Sequence, residues 1–295
     1  MLKTIIVTGG SGQLGQSLRG LVGSDAGCRY LFPSREELDL SDSASINAFF
    51  EGKEFDLIIN CAAYTAVDQA ESEPELADQI NHLAVKKLAK IAASQHARLI
   101  HISTDYVFAG ENFKPYIESD KVAPQGEYGF SKLRGEQAIE SLMPNNAVII
   151  RTSWVYSAFG NNFVKTMLKL AEQRDELNVI YDQVGTPTYA EDLARTILQI
   201  AQSDGFNKTN FKTELYHYSN EGVCSWYDFA TAIFELRGLA CKVLPIETKD
   251  YPTPAKRPHY GVLNKAKIKQ AYAIQIPYWK EALQRCLQAL EDNNS

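Results

Sequence analysis

Near-continuous apolar runs alternate with amphipathic stretches through the first half of the chain. Residues 4–8 (TIIVT), 57–60 (LIIN), 98–103 (RLIHIS) and 147–151 (AVIIR) are the clearest runs, with a weaker one at 29–32. Runs of this kind, rather than strict alternation, mark strands covered on both faces of a parallel sheet. Between them, 13–22, 43–50, 73–95 and 126–142 carry apolar residues at helical spacing. Ser41, Asp42 and Ser43 offer caps for the second helix, and Pro74 suits the first turn of the third. The acidic stretch 68–73 reads as the start of that third helix. This βαβ rhythm predicts an α/β fold, a Rossmann-type doubly wound parallel sheet, over residues 1–155.

The rhythm weakens afterwards. Residues 162–173, 190–202, 226–236 and 278–290 read as helices, and 178–181, 215–218 and 242–245 as short strands. Prolines 187, 245, 252, 254, 258 and 277 punctuate the connections. Residues 156–295 are expected to form mainly a smaller, partly interleaved C-terminal substrate-binding lobe over the carboxyl edge of the sheet, with some segments returning to the first domain. The tail 291–295 is expected to fray.

Composition narrows the function. The 295 residues carry a formal charge of −6, which argues against non-specific nucleic-acid binding. No apolar run approaches the roughly 18 residues of a membrane span, and no signal peptide is expected. The five cysteines are odd in number, widely spaced and without a C-x-x-C pair, so they read as free thiols of a cytoplasmic protein. The five histidines form no ligand cluster, and no metal site is expected from them.

Gly9, Gly12 and Gly15 lie at the first strand-to-helix junction. Glycines there allow a tight turn and close approach of a pyrophosphate to helix N–H groups. Arg35 follows the second strand, where a carboxylate would bind unphosphorylated ribose. It can instead bind a 2′-phosphate, which favours NADPH over NADH; a solvated surface charge is the alternative. Tyr128 and Lys132 stand four residues apart on a predicted helix and share one face. A nearby ammonium would lower the phenol's pKa and suit it to proton transfer. Thr104 emerges from the fourth strand, where a hydroxyl can orient a carbonyl. Asp105 beside it is a ligand contact or a turn cap. Trp154 is a sugar-stacking residue or core. Asn161 and Asn162 are diphosphate contacts or helix caps. Lys256 and Arg257 are diphosphate-binding cations or solvated loop charges.

Longer motifs are more specific. They include Asn60-Cys61-Ala62-Ala63-Tyr64-Thr65-Ala66-Val67-Asp68, Ser103-Thr104-Asp105-Tyr106-Val107-Phe108, Tyr128-Gly129 with Lys132, Arg151-Thr152-Ser153-Trp154-Val155-Tyr156 and Tyr251-Pro252-Thr253-Pro254. Together with the glycine turn they resemble the extended short-chain dehydrogenase/reductase superfamily and, within it, the dTDP-4-dehydrorhamnose reductases. The resemblance implies NADPH or NADH as cofactor, with a divalent cation such as Mg left open. It implies a dTDP-sugar substrate whose C4 ketone is reduced, giving dTDP-L-rhamnose. Tyr128 would be the proton donor, Lys132 the ribose ligand and Thr104 the carbonyl contact. Asp105 and Trp154 would lie near the sugar, and Tyr106, Asn161, Asn162 and Arg257 are the further substrate-binding candidates of the chain. Gly9, Gly12, Gln13, Leu14 and Gly15 would line the cofactor, as would Arg35, Asp39, Leu40, Ala62, Ala63, Tyr64 and Thr65. A homodimer is common in such a superfamily.

Neighbouring chemistries fit less well. Dehydratases of the superfamily carry a glutamate where Tyr106 stands, and a phenol is too weak a base to replace it. No Cys/His pair accompanies Thr104, which disfavours a coupled epimerase-reductase. Two alternatives stay open: another 4-keto deoxysugar nucleotide as substrate, and a non-catalytic NADP-binding regulatory subunit like that of methionine adenosyltransferase.

Overall fold

The computed structural model describes residues 2–23 and 27–292. The first half contains β1 (Lys3–Thr8), α1 (Gln13–Leu21), β2 (Cys28–Leu31), α2 (Ser43–Phe50), β3 (Leu57–Asn60), α3 (Val67–Ala70), α4 (Pro74–Asp78), α5 (Ala84–Ser94), β4 (Arg98–Thr104), α6 (Glu127–Leu142) and β5 (Ala147–Thr152). The second half contains β6 (Val155–Tyr156), α7 (Phe163–Ala171), β7 (Glu176–Ile180), β8 (Val184–Gly185), β9 (Thr188–Tyr189), α8 (Ala190–Gln202), α9 (Asp204–Asn207) and β10 (Glu214–His217). It continues with β11 (Cys224–Ser225), α10 (Trp226–Arg237), β12 (Lys242–Ile246), α11 (Ala266–Tyr272) and α12 (Trp279–Asp292). The expected fraying of 291–295 falls partly outside the described residues, since α12 runs to Asp292.

Six strands form one sheet in the order β10-β5-β4-β3-β1-β2, and every neighbouring pair is parallel. The order reverses at β1, which places a ligand crevice beyond the carboxyl ends of β1 and β3. Alternate residues serve opposite faces, as the pleat dictates. Ile5, Val7, Ile59, Ile100 and Val148 pack under α1 and α8, against Leu18, Leu193 and Ile197. Ile6, Ile58, Leu99 and Ile149 pack under α5 and α6, against Leu88, Ala89 and Ile139. Thus α8 and β10 join the sheet layer although they lie beyond residue 156. A separate cluster of Val164, Leu177, Phe229, Ile233 and Leu283 holds α7, α10 and α12 around the β7–β12 pair.

Local chemistry sets the element ends. Asp42 caps α2 by accepting from Ala44 N at 2.8 Å. Ser225 and Asp228 form a capping box on α10, which ends on Gly238 with φ 61°. The helix expected at 73–95 does begin at Pro74, but it is not uniform. A π-helical turn, Gln79–Leu83, separates α4 from α5. The acidic stretch does not start that helix either. Asp68 lies in α3 and accepts from Arg257, Glu73 accepts from the Tyr64 hydroxyl, and Glu71 accepts from Glu127 N at 2.9 Å. The last contact caps α6, whose own N-cap, Gly126, has no side chain to do so.

Candidate functional site

The glycine turn is closely packed. Gly9 has φ 68°, and a Cβ there would sit 2.7 Å from Ala62 N in the loop after β3. A Cβ on Gly15 would collide with the Gly9 carbonyl. Gly12 heads α1 without a side-chain cap, and the first turn holds no acidic residue. The free N–H groups at that helix start therefore suit a pyrophosphate, and the residues present fit a dinucleotide.

Around this turn, the cofactor candidates divide. The loop 61–65 is clamped by Asn81 of the π-turn: its Oδ1 accepts from Tyr64 N at 2.9 Å and its Nδ2 donates to Tyr64 O at 3.0 Å. Asn81 also donates to Ser131 Oγ at 3.1 Å, and Ser131 donates to the Tyr128 carbonyl at 2.9 Å. The cofactor loop and α6 are thereby joined through one buried asparagine, a residue type whose place inside an apolar helix was its only signal. Leu40 is buried, and Asp39 accepts from Ser41 N and Oγ, which holds its carboxyl below the usual range. Arg35 is 74% exposed, with Nε 3.8 Å from Asp39 Oδ2. A second arginine lies nearer the turn. Arg19 stacks over Phe32 at 4.4 Å, and its Nη2 is 3.4 Å from where a Gly10 Cβ would stand.

The proton-transfer candidates meet at the carboxyl end of β4. The Thr104 hydroxyl stands between the Asp105 carboxyl, at 3.1 Å from Oδ1, and the Tyr128 phenol, to which it also hydrogen-bonds. The Tyr106 ring meets Tyr128 edge-on at 5.4 Å between centroids. Lys132 is buried, and its ammonium donates to the Ile102 carbonyl at 2.6 Å. These positions correct the expected electrostatics. Burial pushes the Tyr128 phenol up to about 12, against the Thr104 hydrogen bond, and Asp105 adds to the rise. The phenol is thus raised rather than lowered, and the Lys132 ammonium is drawn toward the strand. Burial brings Lys132 itself down to about 8, opposed by Glu136. Asp105 is driven up to about 7 by burial, and its Oδ2 has no hydrogen-bond partner among the described residues.

The remaining substrate candidates are largely engaged by protein groups. The Asn162 side chain caps α7 through Lys165 N and donates to Gln13 Oε1 at 3.0 Å. Gln13 also accepts from Ser157 and donates to Val155 O, tying the glycine turn to the 155–162 segment. Asn161 is exposed beside it. Trp154, at φ 47°, stacks on Trp226 with centroids 3.6 Å apart, and a Cβ on Gly185 would lie 2.9 Å from its ring. The core reading of Trp154 gains from this stack, and sequence offered no sign of its partner. Arg257 forks onto Asp68 at 3.0 and 2.7 Å, and Lys256 donates to Gln125 at 3.1 Å. Neither is a free cation awaiting a diphosphate. Among the described residues no group of three or more His, Cys, Asp or Glu could hold a metal ion.

The chain is similar to known proteins along most of its length. Residues 3–292 match the family model of the RmlD substrate binding domain. A curated dTDP-4-dehydrorhamnose reductase of Aggregatibacter actinomycetemcomitans is 42% identical, over 96% of this chain and 97% of its own. The crystal structure of a dTDP-4-dehydrorhamnose reductase from Clostridium acetobutylicum superposes with a TM-score of 0.91 at 41% identity, covering 98% of this chain and 99% of the other. That of the Bacillus anthracis reductase, in complex with NADP, gives 0.90 at 37% identity, covering 98% and 100%.

Proposed function

Because this chain belongs to the dTDP-4-dehydrorhamnose reductase family, we propose that it reduces the C4 ketone of dTDP-4-dehydro-L-rhamnose to dTDP-L-rhamnose in nucleotide-sugar biosynthesis. The observation that carries the reading is the meeting of Thr104, Tyr128 and Lys132 where β4 opens into the crevice. Bound NAD(P)H supplies the hydride. Thr104 orients the ketone through its hydroxyl. Tyr128 gives its phenolic proton to the developing alkoxide. A phenol held at about 12 is protonated at neutral pH, and it remains more acidic than an alcohol, so the transfer runs downhill. Lys132 has donors left to hold the cofactor ribose, since an ammonium carries three and the Ile102 carbonyl takes one.

NADPH is the preferred cofactor in this reading. No carboxylate occupies the end of β2, where residues 32–35 read Phe-Pro-Ser-Arg, and Arg19 and Arg35 are the cations nearest the expected 2′-phosphate. The protein is further taken to be a cytoplasmic homodimer, which sedimentation tests directly. Among the described residues no helix is long and apolar enough to cross a membrane.

The function is tested by NADPH absorbance with purified protein and a panel of 4-keto deoxysugar nucleotides. Consumption with the 4-dehydro-L-rhamnose nucleotide supports the reading. Faster consumption with a different sugar reassigns the substrate. No consumption with any sugar, alongside retained NADP binding, leaves a regulatory subunit instead.

A further inference from the structure

Helix α6 carries a charged stripe where an apolar one would serve for packing. Tyr128, Lys132 and Glu136 follow at four-residue spacing and share a face. Lys132 is 1% exposed and Glu136 2%. A buried carboxylate is costly unless its lone pairs are filled. Those of Glu136 are filled by Arg151, from Nε at 2.9 Å and Nη2 at 2.6 Å, and by the Ser103 hydroxyl. Ser103 and Arg151 are register neighbours on β4 and β5. Apolar side chains of similar volume would fasten the helix to these strands as well, often with greater stability. Fastening alone does not account for the charge.

Lys132 supplies the missing reason. Among the described residues its ammonium makes one hydrogen bond, to Ile102 O, and none to Glu136. A carboxylate free to swing would take another of its donors. Arg151 and Ser103 hold the carboxylate in place, so that it acts on Lys132 through space. The titratable groups that interact with Lys132 are Glu136 on α6, Cys61 after β3 and His101 on β4, and Arg151 pairs with Glu136. Burial pushes the Cys61 thiol up and the His101 imidazole well down, so both are neutral. Among the described residues Glu136 is therefore the anion that Lys132 feels most.

We infer that Glu136 is a positioning residue of the catalytic group: fixed by Arg151 and Ser103, its carboxylate keeps Lys132 cationic while leaving two ammonium donors to the cofactor ribose. The inference rests on the reductase function proposed above, but its central quantity can be read without turnover.

The test compares the whole enzyme with Glu136→Gln, Glu136→Asp and the doubly apolar Glu136→Met/Arg151→Met. Lys132 is titrated in ligand-free protein by NMR of labelled lysine, and kcat/KM is followed against pH. Burial brings the wild-type ammonium down to about 8, so activity is expected to fall as pH rises through that value. In Glu136→Gln both midpoints move down by roughly one pH unit or more. The aspartate returns them toward wild type. The double variant, which buries no charge, moves them down and keeps the inference testable should the glutamine variant not fold. An unchanged Lys132 midpoint in whichever variant folds, with only the melting temperature lowered, overturns the inference and leaves Glu136 a structural ion pair. If the wild type reduces no 4-keto sugar, the proposed function fails, and the ligand-free titration still decides the part played by Glu136.

Discussion

Asp105 offers the sharpest quantitative test, because its chemistry acts on stability whatever the substrate. The carboxyl is 2% exposed, Oδ2 has no hydrogen-bond partner among the described residues, and a Cβ on Gly261 would lie 2.6 Å from that oxygen. Burial raises its pKa from 3.8 to about 7. A carboxyl raised on folding favours the folded state fully below its unfolded pKa, and that contribution is lost as pH rises through the folded value. The window is therefore pH 4 to 7. With 1.36 kcal/mol per pH unit, the whole effect is about 4 kcal/mol, of which roughly 2.5 kcal/mol falls between pH 5 and 8. Asp105→Asn keeps the shape and cannot ionise. Urea unfolding of both proteins at pH 5, 6, 7 and 8 should show the variant gaining on the wild type by about that amount. A stability difference flat across the series would refute the argument and mean that the carboxylate is solvated or neutralised in the folded protein.

Tyr128→Phe should lower kcat by about 10²- to 10⁴-fold, the usual worth of general acid catalysis, while NADP affinity measured by calorimetry persists; near-normal turnover would end the mechanism. Arg19→Ala should weaken NADP binding about tenfold or more and leave NAD binding nearly unchanged, with Arg35→Ala having the smaller effect, as both dissociation constants will show. Asn81→Ala should cost about 1–3 kcal/mol in chemical unfolding and raise the KM for the cofactor, because it leaves buried backbone groups of Tyr64 unpaired.

Much of the sheet was legible because buried parallel strands carry near-continuous apolar runs, as at 57–59 and 147–150. Alternating helices were readable for the same reason. Pairings across long stretches of chain were not. Glu71 caps a helix that starts 56 residues later, and Trp154 stacks on a ring 72 residues away. Local composition carries no trace of such partners. The π-turn at Gln79–Leu83 hides inside a good helical pattern because a single five-residue turn is too short to show a period of its own. At the candidate site, i, i+4 spacing on α6 could be read from the sequence for Tyr128 and Lys132. It could not foretell which way the ammonium would turn, since that depends on the Ile102 carbonyl in another element. Arg19 escaped notice because its significance comes from stacking on Phe32, not from any motif.

The place of β10 has a bearing on how this gene can be cut. Residues Glu214–His217 pair with Val148–Arg151 along the outer side of β5. A fragment ending near residue 155 would expose that row of backbone donors and acceptors as a bare hydrophobic edge, prone to self-association. It would also strip α8 from the layer over Ile5, Val7 and Val148. The first sheet is thus finished by chain synthesised well after residue 155. During translation the nascent front half waits for its closing strand, and a modular swap at the apparent midpoint would separate a sheet from its own border.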